Sequence, residues 1–259
     1  MLVSTKNMSV SYHKKQALEN ISLNISAGKT TAIIGKNGSG KSSLLRSLAG
    51  LAPYKGDVFL DARPLKSYPS KEKARKMAFL PQQSSLFVDR TVFDLVALGR
   101  FPHQKPLQQS LTMKERELID SVLKDLNLWD LKNERVSSLS GGQRQRAWIG
   151  IVLAQESELL LLDEPTTYLD LSAQLKILKL LKSEVEKKGK TLVYVLHDLN
   201  QVSEFADELI ILKDGQLFQS GATEDLFTES MIREVFSLEV SLGQESFSSK
   251  KMIRGMRSV

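Results

Sequence analysis

The sequence contains no cysteine, which excludes disulfide bonds, thiolate metal sites and cysteine nucleophiles. With only three histidines, it offers little for a zinc site. No apolar run approaches the ~20 residues that a membrane-spanning helix requires, and residues 1–15 lack the apolar core of a signal peptide. Sustained heptads are also missing between residues 42 and 159, which argues against a long coiled coil. We therefore expect a protein of the cytoplasm whose link to any membrane is peripheral.

The composition that remains is typical of a globular protein. Of 259 residues, 41% are hydrophobic and 25% are charged, and the formal net charge is +6. This mild excess of positive charge is compatible with nucleic acid, a membrane surface or an anionic nucleotide as partner, and equally with none of them. Charge alone therefore selects no function.

The order of strand-like and helix-like segments predicts the fold class. Short β-branched or apolar runs alternate with helical patterns, which indicates a mostly parallel sheet covered by helices. We expect residues 2–11 to form an edge strand, Asp214-Gly215 to turn a hairpin, and residues 91–155 to be helical. The tail after Gly243 is polar and basic, and we expect it to be loose.

A phosphate-binding loop is the first chemical motif along the chain. Residues 35–42, GKNGSGKS, match G-x-x-x-x-G-K-[ST] between a predicted strand at 29–34 and a predicted helix at 42–50. Glycines let the backbone amides turn inward towards phosphate. Lys41 supplies a positive charge to the β- and γ-phosphates, and the Ser42 hydroxyl can bind Mg²⁺. A bare glycine-rich turn is the alternative, but the flanking strand and helix favour a nucleoside triphosphate site.

Two further segments carry polar groups that suit a nucleotide. Residues 139–143 read LSGGQ, in which Ser140 and two glycines open a predicted helix. Taken alone, this turn is compatible with an ordinary serine N-cap. It lies just before residues 159–165, LLLLDEP, where a buried strand ends in Asp163 and Glu164. These carboxylates are expected at the carboxyl edge of the parallel sheet, where ligands bind in open α/β folds.

The motifs in their order resemble the ATP-binding subunit of ABC transporters, over about residues 3–220. The positions that carry the resemblance are GKNGSGKS at 35–42, LPQ at 80–82, LSGGQ at 139–143, LLLLDEP at 159–165, Tyr168-Leu169-Asp170, and His197 after a strand. The resemblance implies an α/β fold: a P-loop NTPase (RecA-like) core with a mixed sheet, an N-terminal antiparallel β-subdomain and an inserted α-helical subdomain.

The same resemblance implies a division of the chain. A single ABC ATPase domain would span residues 1–240, with the RecA-like core and β-subdomain at about 1–87 and 156–240. The helical subdomain would occupy about 88–155. Residues 241–259 would be a polar, basic C-terminal tail.

The resemblance also assigns catalytic and metal-binding roles. Glu164 would be the general base for the attacking water, and His197 would contact the γ-phosphate. Gln82 would sense Mg²⁺ and the γ-phosphate and would communicate with the membrane partner. Magnesium would be held by Ser42, Gln82 and Asp163.

The remaining implied contacts are with ATP. Tyr12 would stack on the adenine, while Ser140 and Gly142 would touch the γ-phosphate of ATP bound to another subunit. The alternatives are a core aromatic for Tyr12, a helix cap for His197 and a plain surface acid for Glu164. The other positions that the resemblance places at the nucleotide are Gly35, Lys36, Asn37, Gly38, Ser39, Gly40, Lys41, Ser42, Ser43, Gly141, Gln143 and Asp170.

The partners follow from the same resemblance. In the family, the LSGGQ segment, here called the signature, completes the ATP site of another copy. The resemblance therefore implies a head-to-tail homodimer around two ATP molecules. LGRFPH at 98–103, EPTTYLDL at 164–171 and LHDLNQ at 196–201 resemble importers of ferric siderophores, haem and cobalamin, with ferric siderophore the preferred substrate. This implies a peripheral protein on the cytoplasmic face of the membrane. Integral membrane permease subunits would dock near Gln82 and residues 88–105, and a substrate-binding protein would feed them.

Two other classes of function compete with transport. A non-transport ABC ATPase, in cluster assembly or in nucleic-acid work, would suit the positive charge. The single cassette and the lack of a coiled-coil insertion argue against its nucleic-acid forms, so no nucleic-acid partner is expected. A nucleotide-dependent scaffold would need neither Glu164 nor His197.

Overall fold

The computed structural model describes residues 1–13, 15–82, 89–105, 110–244 and 250–258. Its strands are β1 (Val3–Tyr12), β2 (Lys15–Ile25), β3 (Thr30–Ile34), β4 (Lys55–Leu60), β5 (Arg63–Pro64), β6 (Met77–Leu80), β7 (Leu159–Asp163), β8 (Thr191–Val195), β9 (Glu208–Lys213), β10 (Gln216–Ala222), β11 (Leu238–Gln244) and β12 (Lys251–Ser258). Its α-helices are α1 (Lys41–Leu48), α2 (Ser70–Lys76), α3 (Val92–Ala97), α4 (Met113–Asp125), α5 (Gly141–Ala154), α6 (Leu171–Lys188), α7 (Leu199–Phe205), α8 (Thr223–Leu226) and α9 (Glu229–Phe236).

A six-stranded sheet forms the centre of the protein, in the order β10-β9-β3-β8-β7-β6. Its strands are parallel except for β10, which pairs antiparallel with β9 through the predicted Asp214-Gly215 turn. The sheet is buried on both faces. Along β7, for example, Leu160 and Leu162 enter one hydrophobic core while Leu159 and Leu161 enter the other. This double burial explains why the central strands are continuous apolar runs rather than alternating ones.

A second, antiparallel sheet has the order β2-β1-β4-β5 and packs with α1 on one face of the central sheet. The prediction of an edge strand at residues 2–11 is wrong, because β1 lies between β2 and β4. Val3, Met8 and Val10 are buried, and β1 pairs with a strand on each side. Its partner β4 lies more than forty residues away in the sequence, so local pattern gives no sign of the second pairing.

The segment between β6 and β7 is largely helical, as its periodicity predicts, but not continuously so. Helices α3, α4 and α5 pack together, and a 3₁₀ turn at Leu98–His103 follows α3. Two more 3₁₀ turns, rather than an α-helix, separate α4 from α5. Among the described helices, none is both long enough and apolar enough to cross a bilayer.

The C-terminal segment differs from the expected loose tail. β11 and β12 pair antiparallel and form a separate two-stranded sheet, here called the C-terminal hairpin; residues 245–249 between them lie outside the described residues. Side chains of Leu238, Val240 and Ile253 are half-buried against the core. The polar composition after Gly243 hides this pairing, because the hairpin is held by groups that are distant in the sequence.

Candidate active site

The P-loop runs from the end of β3 to the N-terminus of α1, at the carboxyl edge of the central sheet. Gly40 occupies the N-cap position of α1 with φ 100°, and no side chain caps the helix. A Cβ atom at Gly40 would lie 2.5 Å from Leu18 Cδ2 and 2.7 Å from the Ala17 carbonyl oxygen. Only glycine fits there. The first amides of α1 are therefore free of a capping side chain and available to an anion.

The Lys41 side chain lies inside this loop. Its ammonium donates to the Gly35 carbonyl oxygen at 2.8 Å and to the Lys36 carbonyl oxygen at 3.0 Å, and the residue is only 7% exposed. Burial lowers the pKa of Lys41, although the nearby carboxylates of Glu164 and Asp163 act in the opposite direction. An ammonium that is desolvated and held only by carbonyls is a strong partner for phosphate oxygens.

Ser42 and Asp163, two of the three residues predicted to hold Mg²⁺, are in contact. The Ser42 hydroxyl donates to Asp163 Oδ1 at 3.1 Å, whereas the buried Asp163 Oδ2 has no hydrogen-bond partner among the residues that the structure describes. Burial raises the pKa of Asp163, while the bond from Ser42 opposes that shift. A hydroxyl and an unsatisfied carboxylate oxygen are the hard ligands that Mg²⁺ prefers, so the residues present fit that ion. Among the described residues, the protein alone offers no cluster of three or more acidic or histidine side chains as a metal site.

Glu164 and His197 are brought together from two neighbouring strands. His197 Nε2 lies 2.6 Å from Glu164 Oε1, with side-chain exposures of 51% and 13%. Glu164 has φ 53°, a left-handed conformation that a non-glycine residue seldom adopts and that is often found at functional sites. Thr167 Oγ1 donates to Glu164 Oε2 at 3.3 Å. The sequence analysis did not identify Thr167 as a site residue. The one sign of its role in the sequence is that a hydroxyl residue stands three positions after Glu164.

The signature turn lies at the N-terminus of α5. Ser140 is the N-cap: its hydroxyl accepts from the Gln143 amide at 3.2 Å, and Gln143 Oε1 accepts from the Ser140 amide at 2.9 Å. The simple N-cap interpretation thus holds for Ser140, without excluding an anion. A Cβ atom at Gly142 would lie 3.3 Å from Leu169 Cδ2 and 3.3 Å from the Tyr168 carbonyl oxygen, so the turn packs against these two residues. Within the described ranges, no hydrogen bond or ion pair joins this turn to the P-loop.

Other predicted residues are less directly placed. Tyr12, at the end of β1, is 39% exposed, which is not the position of a core aromatic. Asp198, not His197, caps α7, so the helix-cap alternative for His197 is wrong. Asp170 caps α6 by accepting from the Ala173 amide at 2.9 Å.

Gln82 is exposed, and in the described part of the chain it makes no hydrogen bond to Ser42 or Asp163. Its role in metal binding and communication stays a prediction. Residues 83–88, which include the start of the predicted docking segment, lie outside the described residues.

Comparison with known sequences places the chain among nucleotide-dependent transport proteins. The ABC transporter family pattern matches residues 18–167. A protein of Bacillus subtilis named "Probable siderophore transport system ATP-binding protein YusV" is 43% identical over 244 residues, covering 94% of this chain and 88% of that protein. The ferric enterobactin transport ATP-binding protein FepC of Escherichia coli is also 43% identical, over 90% of this chain and 86% of its own length.

Solved structures show the same fold. A metal-chelate type ABC transporter in an inward-facing conformation matches with a TM-score of 0.81 and 28% identity, covering 97% of each chain. The dimeric ATP-binding cassette MJ0796 bound to ADP and phosphate matches with a TM-score of 0.76 and 32% identity, covering 86% of this chain and 99% of that one.

Proposed function

Since the chain belongs to the ABC transporter family of ATP-binding proteins, and is therefore an ATPase coupled to transport, we propose that it powers the import of a metal chelate. A ferric siderophore is the substrate class we favour, because relatives named for siderophore and enterobactin transport match nearly the whole chain. Relatives named for hemin import match as well, at 35% identity, which keeps haem as the second candidate.

The hydrolytic step is assigned to Glu164. Its carboxylate takes a proton from the water that attacks the γ-phosphorus, and the bond between that phosphorus and the β–γ bridging oxygen breaks. Contacts from His197 and Thr167 hold the two carboxylate oxygens in a fixed orientation. The adjacent placement of Glu164 and His197 is the observation that carries this assignment, since a protein that only binds nucleotide needs no oriented base.

Charge on the phosphates is balanced by the P-loop. Lys41 exchanges its two carbonyl contacts for phosphate oxygens, and the uncapped amides of α1 donate to the same group. Ser42 and the unpartnered oxygen of Asp163 would hold Mg²⁺. When bound, that ion supplies positive charge to the β- and γ-phosphates.

Among the described residues, no hydrogen bond or ion pair joins the LSGGQ turn to the P-loop of the same chain, and we propose that two copies share two ATP molecules. Ser140 and Gly142 of one copy would contact the nucleotide on the P-loop of the other. The solved relative described as a dimeric cassette supports this arrangement. Because these contacts form only in the closed dimer, ATP favours closure by its greater affinity for that state.

We expect the permease to dock on the 3₁₀ turn of the helical region. The 3₁₀ turn at Leu98–His103 presents Phe101, whose side chain is 72% exposed, beside the basic helix α2. Arg75 Nε donates to the Pro102 carbonyl oxygen at 2.8 Å and fixes this turn on α2. An exposed aromatic on an anchored turn suits a helix of a membrane partner. The protein would then lie on the cytoplasmic face of the membrane, with a substrate-binding protein acting on the other side.

The experiment is an uptake assay in cells that lack this gene, complemented with the wild-type chain or with Glu164→Gln. Radioactive iron is supplied as ferric siderophores or as haem, and labelled cobalamin is measured in parallel. We expect the wild type to restore uptake of a ferric siderophore and Glu164→Gln to restore none. Normal uptake of all three substrates without the gene would contradict chelate import.

A further inference from the structure

The C-terminal hairpin is bonded to the helix that follows His197. Asn200 Oδ1 on α7 accepts from the Ile253 amide of β12 at 2.8 Å. One turn later, the Ser203 hydroxyl donates to the Lys251 carbonyl oxygen at 2.6 Å, and Ser203 is buried. The edge of β12 that faces away from β11 is thus held along α7 by two hydrogen bonds.

Helix α7 in turn sets the position of His197. Only Asp198 stands between His197 and the first residue of α7, and Asp198 Oδ1 accepts from the amides of Asn200 and Gln201 at 2.8 and 3.2 Å. Asn200 therefore belongs to the capped first turn and also to the contact with β12. A shift of β12 would move this turn, and His197 with it.

The hairpin is anchored independently at both ends. Ser237, immediately before β11, accepts a hydrogen bond from the Lys36 ammonium of the P-loop at 2.7 Å. Lys251, at the start of β12, donates to the carbonyl oxygens of Glu224 and Phe227 at 2.6 and 3.2 Å. The segment thus spans from the P-loop to α7, two elements that flank the nucleotide site.

We propose that the C-terminal hairpin is a positioning element for catalysis, which holds His197 against Glu164 through Asn200 of α7. The inference rests on the proposed function of His197. It adds that the position of His197 depends on a segment outside the nucleotide motifs, the C-terminal hairpin. Asn200 and β12 are not among the residues that we place at the nucleotide, so they should affect turnover rather than ATP binding.

The test uses steady-state ATPase assays of the purified full-length chain and of three variants: Asn200→Ala, Asn200→Asp and a chain that ends at Lys250. Loss of the acceptor in Asn200→Ala should lower kcat about 3- to 10-fold with KM for ATP unchanged, the range that one lost hydrogen bond spans. Asn200→Asp keeps the acceptor at a helix N-terminus and should restore kcat. The shortened chain should lose at least as much as Asn200→Ala.

A double-mutant cycle separates positioning from general destabilisation. If β12 acts through Asn200, then Asn200→Ala should cause no further loss in the shortened chain. Fully additive losses, failure of Asn200→Asp to restore kcat, or a shortened chain with normal kcat would each overturn the inference.

The variant His197→Ala in the full-length chain separates a failure of the proposed role of His197 from a failure of the proposed role of the hairpin. If this variant hydrolyses ATP normally, then the proposed role of His197 fails, and the inference fails with it. If His197→Ala is inactive while Asn200→Ala and the shortened chain are normal, only the inference fails.

Discussion

Both α1 and α5 have glycine at their N-termini, yet the two helices differ in what their first amides meet. At α1, Gly40 offers no side chain, so the first amides have no cap. At α5, Ser140 and Gln143 form a reciprocal capping box. Lys41 is the first residue of α1, and Asp163 contacts the next one, Ser42, whereas the α5 turn packs against Tyr168 and Leu169.

This difference indicates that the two turns have different functions. The turn at α1 combines, within one chain, an N-terminus without a side-chain cap, a buried ammonium and the Ser42–Asp163 pair that we propose for Mg²⁺. The turn at α5 is capped by its own side chains, and in the proposed dimer its Ser140 hydroxyl would reach the nucleotide of the other copy. One turn should therefore decide binding, and the other should decide assembly and turnover.

The largest expected effect is that of Glu164→Gln, which separates binding from hydrolysis at the α1 side. Removing the base should lower the rate of phosphate release by about 100- to 10,000-fold. ATP affinity should remain unchanged, because Lys41 and the amides of α1 are intact. Phosphate release and titration calorimetry measure the two quantities.

Glu186→Gln is the matched control, since Glu186 is exposed on α6. It should leave both quantities at the wild-type value. A Glu164→Gln protein that retains most of its turnover would assign the base elsewhere.

The second largest effect is expected for Ser140→Asp, which tests whether the turn at α5 acts on the nucleotide of the other copy. Aspartate caps a helix about as well as serine, so the free energy of unfolding should change by less than about 0.5 kcal/mol. Its carboxylate would face the partner's phosphate, and repulsion should lower turnover by about 10- to 100-fold. Affinity for ATP on the chain's own P-loop should be unaffected.

Ser140→Thr keeps both the cap and the hydroxyl and should remain active. If Ser140→Asp weakened ATP binding to an isolated monomer, the signature would belong to the same chain's site. The distinction between the two turns would then be lost.

The smallest expected effect distinguishes two adjacent hydroxyls of α1. Ser42→Ala removes the group in contact with Asp163 and should raise the Mg²⁺ concentration for half-maximal activity by about tenfold. Ser43→Ala lacks that contact and should leave the Mg²⁺ dependence as it is. Equal Mg²⁺ dependence in the two variants would place the metal away from Ser42.

The sequence pattern correctly predicted those elements that depend on residues close together in the chain. The apolar run of β7 and the hairpin turn at Asp214-Gly215 are confirmed, since each depends on neighbouring residues. The P-loop was recognisable for the same reason, because its strand, glycine-rich loop and helix follow one another between residues 30 and 48.

Long-range contacts account for what was missed. The central position of β1 depends on its pairing with β4. The C-terminal hairpin is held in part by Asn200, which lies about fifty residues before its hydrogen-bond partner Ile253. Thr167 was missed because only the folded turn brings its hydroxyl to Glu164.

The central claim, that ATP is shared between two copies, is tested most directly by the mass of the Glu164→Gln protein in solution. Size-exclusion chromatography with light scattering, run with Mg²⁺ and ATP, should give a dimer. Without nucleotide, or with Ser140→Asp added, it should give a monomer. A Glu164→Gln monomer with ATP demonstrably bound to it would contradict the account.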